Sequence, residues 1–377
     1  MASVALVGGF GDLVIKFRGP LIAELVRRGH RVDVCVPAPD EALHDTVLRE
    51  LRALGANWID VPLDRTGTNP RNEWRVRQFF RGYFREQRYD VVLAYNPKPI
   101  FHAVPAAKAA GVPTVGAMVT GLGFAFSGAT LKARLLGAVA RHLYRVAIRA
   151  ADVVFFQNPD DRATFVDAGL IEPDKRVEMI SGSGVDTAHY AASPVPPTTD
   201  APVFLMIARL LRDKGVVEFA DAARIVRREF PRARFRIVGW IDSNPAAISQ
   251  EEFDAWIREG VIEYAGRMDD VRGELAQSSA FVLPSYREGT PKSVLEAMSV
   301  GRAILTTDAP GCRETVIEGE NGYLVPVRDA KALADACIEL CQKPELFQRL
   351  GARSRAYAES RFDSRTVNAQ ILKALGL

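Results

Sequence analysis

Two short apolar runs, SVALVGG at residues 3–9 and PVFLMIA at 202–208, each open a series in which strand-like and helix-like stretches take turns. An apolar run that stops at glycine is how a strand buried on both faces reads. Behind the first run, PLIAELVRRGH carries apolar residues at helical spacing and a glycine stop, and RVDVCVP is the next apolar run. YDVVLAYN, PTVGAMV and DVVFFQN continue the series. Behind the second run come a helical pattern from about Val216 to Arg228, then FRIVG, IEYAG, AFVLPS, AILTT and YLVP. Such alternation is satisfied by a parallel sheet with helices on both faces. The expectation is α/β: two doubly wound domains facing each other across a cleft, with ligands at the carboxyl ends of the strands. The Pro/Thr-rich stretch AASPVPPTTDAP reads as a linker. It divides the chain into a first domain at 1–192, a linker at 193–201 and a second domain at 202–360. Residues 361–377 are expected to form a helix that packs back toward the first domain.

Composition narrows the function classes. A formal net charge of +3 over 377 residues gives no global nucleic-acid signature. No apolar run reaches the roughly 20 residues that span a bilayer. The start, MASVALVGGFGD, lacks a basic leader region and reads as a first strand rather than a signal peptide. Four cysteines in a chain of this length imply a reducing compartment. Cys337 and Cys341 lie one helical turn apart, and with no histidine or second cysteine pair nearby they read as a buried helix face, not zinc ligands. Charge is uneven, however. Between Arg65 and Arg149 stand 14 Lys and Arg against three acids, a local net of +11. RVRQFFRGYFREQRY and LKARLLGAVARHLYRVAIR place arginines beside apolar stripes at helical spacing. Both stretches fit surface helices packed on the sheet, and both fit peripheral attachment to an anionic membrane.

Three pieces of sequence point to phosphate. In SYREGTPKSVLEAMSVG, a loop with Glu288 follows a strand that ends at Pro284. Thr290 is expected to cap a helix that starts at Pro291 and stops at Gly301, which puts Glu296 in the second turn. The first-turn N–H groups form an anion site, and Gly289 lets a ligand approach the backbone. The plain alternative is a capped helix with two solvated glutamates. In ARLLRDKGVVEF, Arg209 at a strand end and Lys214 in the following loop offer a fork donor and a point charge, which suits a diphosphate. In VGGFGD, Gly9 and Gly11 begin a glycine-rich turn, but Val14 stands where a dinucleotide fingerprint needs its last glycine.

Taken in order, ARLLRDKG, GRMDDV, VLPSYREGTPKSVLEAMSVGRAIL, GCRE and GENGYLV resemble the retaining family-4 glycosyltransferases of GT-B fold, and Glu288 and Glu296 match that family's pair of glutamates separated by seven residues. NPKPIFHAVPAAKAAGVP followed by TGLGFAF resembles a narrower bacterial group. It comprises N-acetylgalactosaminyltransferases and related enzymes that extend undecaprenyl-diphospho-saccharides. The resemblance implies two Rossmann-like domains and a UDP-sugar donor, with a HexNAc such as GalNAc as the sugar. It also implies a polyprenyl-diphospho-saccharide acceptor, no metal or other cofactor, no nucleic-acid partner, and a place on the cytoplasmic face of the inner membrane. It assigns Arg209 and Lys214 to the donor diphosphate, Glu288 to the donor sugar and Glu296 to the ribose. Gly289, Thr290 and Pro291 fall at the sugar and diphosphate, Ser293 and Val294 at the phosphate or ribose, Arg267 and Met268 at the base, and Gly9 at the diphosphate from the first domain. Arg209, Lys214 and Glu288 are the expected catalytic residues, and Arg18 and Lys98 the expected contacts to the acceptor diphosphate. His102 reads as a buried structural histidine. No Asp-x-Asp occurs in the chain, so fixed cations are expected where a metal clamp would otherwise stand.

Competing readings keep the fold or the nucleotide and change the chemistry. They are a GT-B nucleotide-sugar 2-epimerase, a glycosyltransferase with a soluble acceptor, a nicotinamide-dependent oxidoreductase and a non-catalytic sugar-nucleotide-binding protein. The broken glycine fingerprint speaks against the oxidoreductase, and the four intact motif residues against loss of catalysis.

Overall fold

Each apolar run named above becomes a strand in one of two parallel sheets. The computed structural model describes residues 1–64, 67, 69–122, 131–197, 201–242, 244 and 246–377, the side chains of 131–133 excepted. Residues 123–126 of TGLGFAF, 198–200 of the expected linker, Arg65 and the side chain of Lys132 lie outside this description. The described chain divides into two units, Met1–Ser183 with Ser364–Leu377, and Gly184–Asp363.

In the first unit, seven strands lie in the order β3-β2-β1-β4-β5-β6-β7. They are β1 (Ser3–Val7), β2 (Arg31–Val36), β3 (Asn57–Asp60), β4 (Val91–Tyr95), β5 (Thr114–Val119), β6 (Val153–Phe156) and β7 (Val177–Met179). All pairings are parallel, with Val4 of β1 in register with Val32 on one side and Val91 on the other. The helices that connect them are α1 (Val14–Arg27), α2 (Glu41–Ala53), α3 (Pro70–Gln87), α4 (Pro97–Ala109), α5 (Leu131–Ala150) and α6 (Pro159–Asp167). Polar and apolar residues do not alternate along β1 and β4 because both faces are covered, and their apolar side chains divide between two cores.

The second unit holds six parallel strands in the order β10-β9-β8-β11-β12-β13. These are β8 (Val203–Ile207), β9 (Arg234–Val238), β10 (Glu263–Tyr264), β11 (Ala280–Leu283), β12 (Ala303–Thr307) and β13 (Gly322–Val325). Around them pack α7 (Val216–Glu229), α8 (Gln250–Arg258), α9 (Arg272–Gln277), α10 (Lys292–Val300), α11 (Ala330–Gln342) and α12 (Glu345–Tyr357). Cys337 is buried on α11 and all four cysteines are free.

The chain passes between the units at Ser183–Gly184 and again at Asp363–Ser364. Neither point lies in the Pro/Thr-rich stretch. Ser193 and Pro194 belong to the second unit, where the buried Arg302 guanidinium donates to the Ser193 hydroxyl and, at 3.1 Å, to the Pro194 carbonyl. Proline there closes off backbone donors rather than loosening the chain. The final helix, α13 (Ser364–Leu375), belongs to the first unit and buries Val367, Ile371, Leu372 and Leu375 in the core beside β4 and β5. Gly116 of β5 leaves room for it: a Cβ there would lie 3.0 Å from Leu375 Cδ2.

Strand order reverses direction once in each unit, between β1 and β4 and between β8 and β11. At such a switch the two following loops part, which leaves a crevice outside the strand ends.

Candidate functional site

In the second unit the loops at the switch point are held from both sides. The β8–α7 loop carries Arg209 and Lys214, and the β11–α10 loop carries Glu288, Gly289, Thr290 and Pro291. Tyr286 N–H and Ser285 Oγ–H both donate to the Asp213 carbonyl, at 2.8 and 3.0 Å. Gly215 sits at φ +73°, and a Cβ on it would lie 2.1 Å from the Pro284 carbonyl oxygen. On the other flank Glu288 N–H donates to the Pro310 carbonyl at 2.9 Å. Gly311, at φ +80°, would put a Cβ 2.2 Å from the Glu288 carbonyl oxygen. Two glycines therefore let three backbone segments touch, and both have a left-handed φ that side chains resist.

That clamp sets the charged groups. Lys214 Nζ and Glu288 Oε1 are 2.5 Å apart, with side chains 16% and 15% exposed. Arg209 Nη1 donates to Asp242 Oδ2 at 3.0 Å. Burial pushes the Cys312 thiol up to about 12, and the Glu288 charge adds to the effect. Helix α10 begins one residue later than its sequence suggests. Pro291, not Thr290, stands at the cap, and the cap residue itself makes no side-chain hydrogen bond to the helix. The helix does stop at Gly301, at φ +86°. Val294 is buried in the core and its N–H donates to the Pro291 carbonyl at 3.1 Å, while Ser293 remains partly exposed.

Glu296 faces inward from α10. It is wholly buried, and neither carboxylate oxygen has a hydrogen-bond partner among the described residues. Burial, and then the Glu296 charge, push the pKa of Tyr190 upward. Tyr190 is thus the polar neighbour that faces this carboxylate, and a buried carboxylate short of donors is costly. Arg267 stacks its guanidinium 4.6 Å from the Trp240 ring centroid, and Met268 packs at the edge of the core.

The first unit arranges its switch point differently. Arg18, on α1, is 3% exposed. Its Nη1 donates to Ser183 Oγ at 3.3 Å and its Nη2 points to Met118 Sδ at 2.9 Å. The guanidinium lies 4.6 Å from the Tyr95 ring centroid, and Nε has no partner among the described residues. No carboxylate pairs with it among them either. Desolvation lowers its pKa, and the Tyr95 hydroxyl, also unpartnered there, is itself pushed up to about 12 by burial.

Gly9 N–H donates to Asn96 Oδ1 at 3.3 Å, and Asn96 Nδ2–H donates to Thr120 Oγ1 at 2.9 Å. Asn96 holds φ +70° and ψ 155°, a region nearly reserved for glycine, at a cost of about 1–3 kcal/mol.

Lys98 has other company than a ligand. Its ammonium donates to the Asp64 and Gly67 carbonyls at 2.6 and 2.5 Å and to Glu73 Oε1 at 2.7 Å, which uses all three hydrogens. His102, 4% exposed, meets the other Glu73 oxygen at 2.6 Å. Burial raises the Glu73 pKa, but hydrogen bonds from His102 and Lys98 overcome it and hold the carboxyl below its ordinary value.

The second unit thus brings Lys214, Glu288 and Gly289 together across two braced loops, with Arg209 on the first of them. Arg18 and Gly9 occupy the first unit's switch point, and Lys98 is withdrawn into a cluster with Glu73. Sequence reading missed Asp242, Tyr190, Asn96 and the bracing role of Gly311. Of these, Asn96 and Gly311 stood in stretches singled out above, but neither stretch signals its role.

Residues 17–182 match the family described as glycosyl transferase 4-like domain, and residues 201–343 the family described as glycosyl transferases group 1. The N,N'-diacetylbacillosaminyl-diphospho-undecaprenol alpha-1,3-N-acetylgalactosaminyltransferase of Campylobacter jejuni is 29% identical over 374 residues, covering 96% of this chain and 95% of that protein. The putative glycosyltransferase EpsD of Bacillus subtilis is 27% identical and covers 82% of each chain. Among solved structures, sucrose-phosphate synthase from Thermosynechococcus elongatus aligns with a TM-score of 0.78 at 18% identity, over 99% of this chain and 98% of that one. Anabaena Alr3699/HepE, in complex with UDP and glucose, aligns at 0.77 and 18% identity over 100% of both. Two parallel-sheet units, two matched domains and relatives along nearly the whole length agree: the chain has the GT-B fold and belongs to the group 1 glycosyltransferases, with a family-4-like first domain.

Proposed function

We propose that this enzyme moves a sugar from a UDP-sugar to a polyprenyl-diphospho-linked saccharide in bacterial glycan or polysaccharide assembly, with retention of configuration. The observation that carries the reading is the Lys214–Glu288 pair, held where two glycines let three backbone segments touch, at the switch point of the second sheet. The end-to-end likeness to a transferase named for an undecaprenol-diphospho-sugar supports the acceptor class and a GalNAc-type donor.

Breaking the bond between sugar and nucleotide leaves a diphosphate of growing negative charge. Arg209, Lys214 and the start of α10 stabilise that charge once the diphosphate has taken the place of Asp242 and Glu288 beside the two cations. In this reading the fixed cations serve where a metal would otherwise stand. Glu288 accepts from donor sugar hydroxyls, since a carboxylate is a poor neighbour for phosphate and a good one for O–H. Ribose hydroxyls would donate to the buried Glu296, and Arg267 and Met268 frame the base. Gly289, Thr290, Pro291 and Ser293 line the sugar and diphosphate, and Val294 contributes only through its place in the first turn. The acceptor hydroxyl attacks from the face the diphosphate leaves, and a leaving-group oxygen takes its proton, so no protein nucleophile is needed. In the first unit the Gly9 turn leaves backbone open to a phosphate-bearing substrate. Arg18, a buried cation without a counter-ion among the described residues, is the contact to the acceptor diphosphate, and the satisfied Lys98 is not.

A lipid-linked acceptor calls for a membrane surface. Trp74 is 65%, Leu135 63% and Val139 58% exposed, on the two helices that flank α4 and carry Arg71, Arg75, Arg81, Arg85 and Arg134. No described helix is long and apolar enough to cross a membrane. Peripheral attachment to an anionic cytoplasmic leaflet fits this face. Salt-sensitive binding to liposomes that contain anionic lipid tests it, and indifference to lipid charge rejects it.

A panel of nucleotide sugars, incubated with a bacterial membrane extract and read by nucleoside diphosphate release, tests the whole reading. Release from UDP-N-acetylhexosamine is expected. Release from GDP-mannose alone overturns the donor assignment, and release independent of extracted lipid overturns the acceptor class.

A further inference from the structure

Asn96 is a residue at the first unit's switch point whose backbone works against its own side chain. It follows β4 at φ +70° and ψ 155°. Glycine would take that conformation freely, and any side chain resists it. It also precedes Pro97, and that position favours extended backbone with negative φ. Local sequence therefore disfavours the observed geometry twice over. Something else fixes it.

What the strained backbone delivers is the position of one amide. Asn96 Oδ1 accepts from Gly9 N–H at 3.3 Å, and Nδ2–H donates to Thr120 Oγ1 at 2.9 Å. Gly9 follows β1, Thr120 follows β5, and Asn96 follows β4, which lies between them in the sheet. A single side chain thus ties together three neighbouring loops at the carboxyl edge, where ligands of such sheets bind. Strain that persists at a crevice, when glycine would remove it, marks a geometry kept for function.

We infer that Asn96 is a positioning residue for the transfer reaction, which fixes the Gly9 turn and Thr120 relative to each other. The inference rests on the reading that the Gly9 turn meets substrate. Asn96 acts through those two loops and is not itself assigned to the reacting atoms.

Asn96→Gly tests it, because it relieves the backbone and deletes both hydrogen bonds at once. The expected result is an unchanged or higher melting temperature together with turnover lowered by about tenfold or more, since small misplacements cost rate steeply. Donor KM should stay within about threefold, as no donor contact is removed. Asn96→Asp keeps the acceptor for Gly9 and loses the donor to Thr120, so its turnover should fall between wild type and Asn96→Gly. Turnover is read as nucleoside diphosphate release in the membrane-extract assay, on whichever nucleotide sugar gives release. A lower melting temperature for Asn96→Gly, or unchanged turnover, overturns the inference. Gly9→Ala separates the two readings, for its Cβ would find the nearest atom at 3.6 Å and fits the fold. If Gly9→Ala is slow and Asn96→Gly is not, the positioning role fails alone. If Gly9→Ala is silent, the reading that the Gly9 turn meets substrate fails, and the inference that rests on it falls with it.

Discussion

The two switch points solve the problem of a buried charge in opposite ways. In the second unit each expected phosphate ligand has a carboxylate in hand: Lys214 has Glu288 at 2.5 Å and Arg209 has Asp242 at 3.0 Å. In the first unit Arg18 is buried against a thioether, a hydroxyl and an aromatic face, with one guanidinium nitrogen unpartnered among the described residues. A paired cation is cheap to keep in the empty state and must exchange partners when an anion arrives. An unpaired buried cation costs stability at all times and gains most from an anion. The contrast teaches that a site's readiness for phosphate is not read from the number of its cations, but from what satisfies them without ligand.

Four results would break or sharpen this contrast. The largest effect is expected in the second unit, where Lys214→Ala should lower turnover by about 10²–10³-fold, the usual loss when one preorganised donor is removed. Donor affinity, measured by calorimetry, should change far less. Equal losses in both would make Lys214 a plain binding residue. Gly311→Ala should follow, with turnover down by about tenfold or more, because its Cβ displaces the Glu288 backbone. A variant with native turnover would show that the clamp yields without consequence. Arg18→Met should be neutral or stabilising in thermal melts, by up to about 4 kcal/mol, since an apolar side chain replaces an uncompensated buried cation. Its turnover with the lipid-linked acceptor should nevertheless fall. A clear loss of stability would mean that Ser183 and Met118 already satisfy the charge. The smallest effect belongs to Asp242→Asn. Arg209 is a third exposed, so unfolding free energy should move by about 1 kcal/mol or less in urea titration.

Much of the second unit was legible in the sequence. All six of its strands appear as apolar runs, and the helix after β8 runs from Val216 as the spacing suggests. The first unit was less open. β3 and β7 escaped notice because NWID and VEM are short, lie at the sheet's two edges and mix polar with apolar residues. Edge strands are half solvated, so the continuous apolar signal of a central strand is missing. Among site residues, Lys214 and Glu288 were found because charge, glycine and helix start coincide in short motifs. Asn96, Asp242 and Tyr190 were not, since an Asn before Pro, an Asp after a strand and a lone Tyr are common wherever turns are. What sets them apart is a backbone angle, a partner 33 residues away and a neighbour on a distant helix. Periodicity carries none of these. The Pro/Thr-rich stretch misled for a related reason: proline suits a linker, and it suits equally a segment pinned to a surface through its acceptors, as Arg302 pins the Ser193 hydroxyl and the Pro194 carbonyl.

The return of α13 to the first unit has a consequence for how the chain is made. Val367, Ile371, Leu372 and Leu375 complete the core on one side of the first sheet. During synthesis that side stays open while the whole of residues 184–363 emerges and has time to fold. Domains usually fold as units in the order they leave the ribosome. Here the first unit begun is the last one finished, and a nascent chain carries an exposed apolar face until residue 375 has been added.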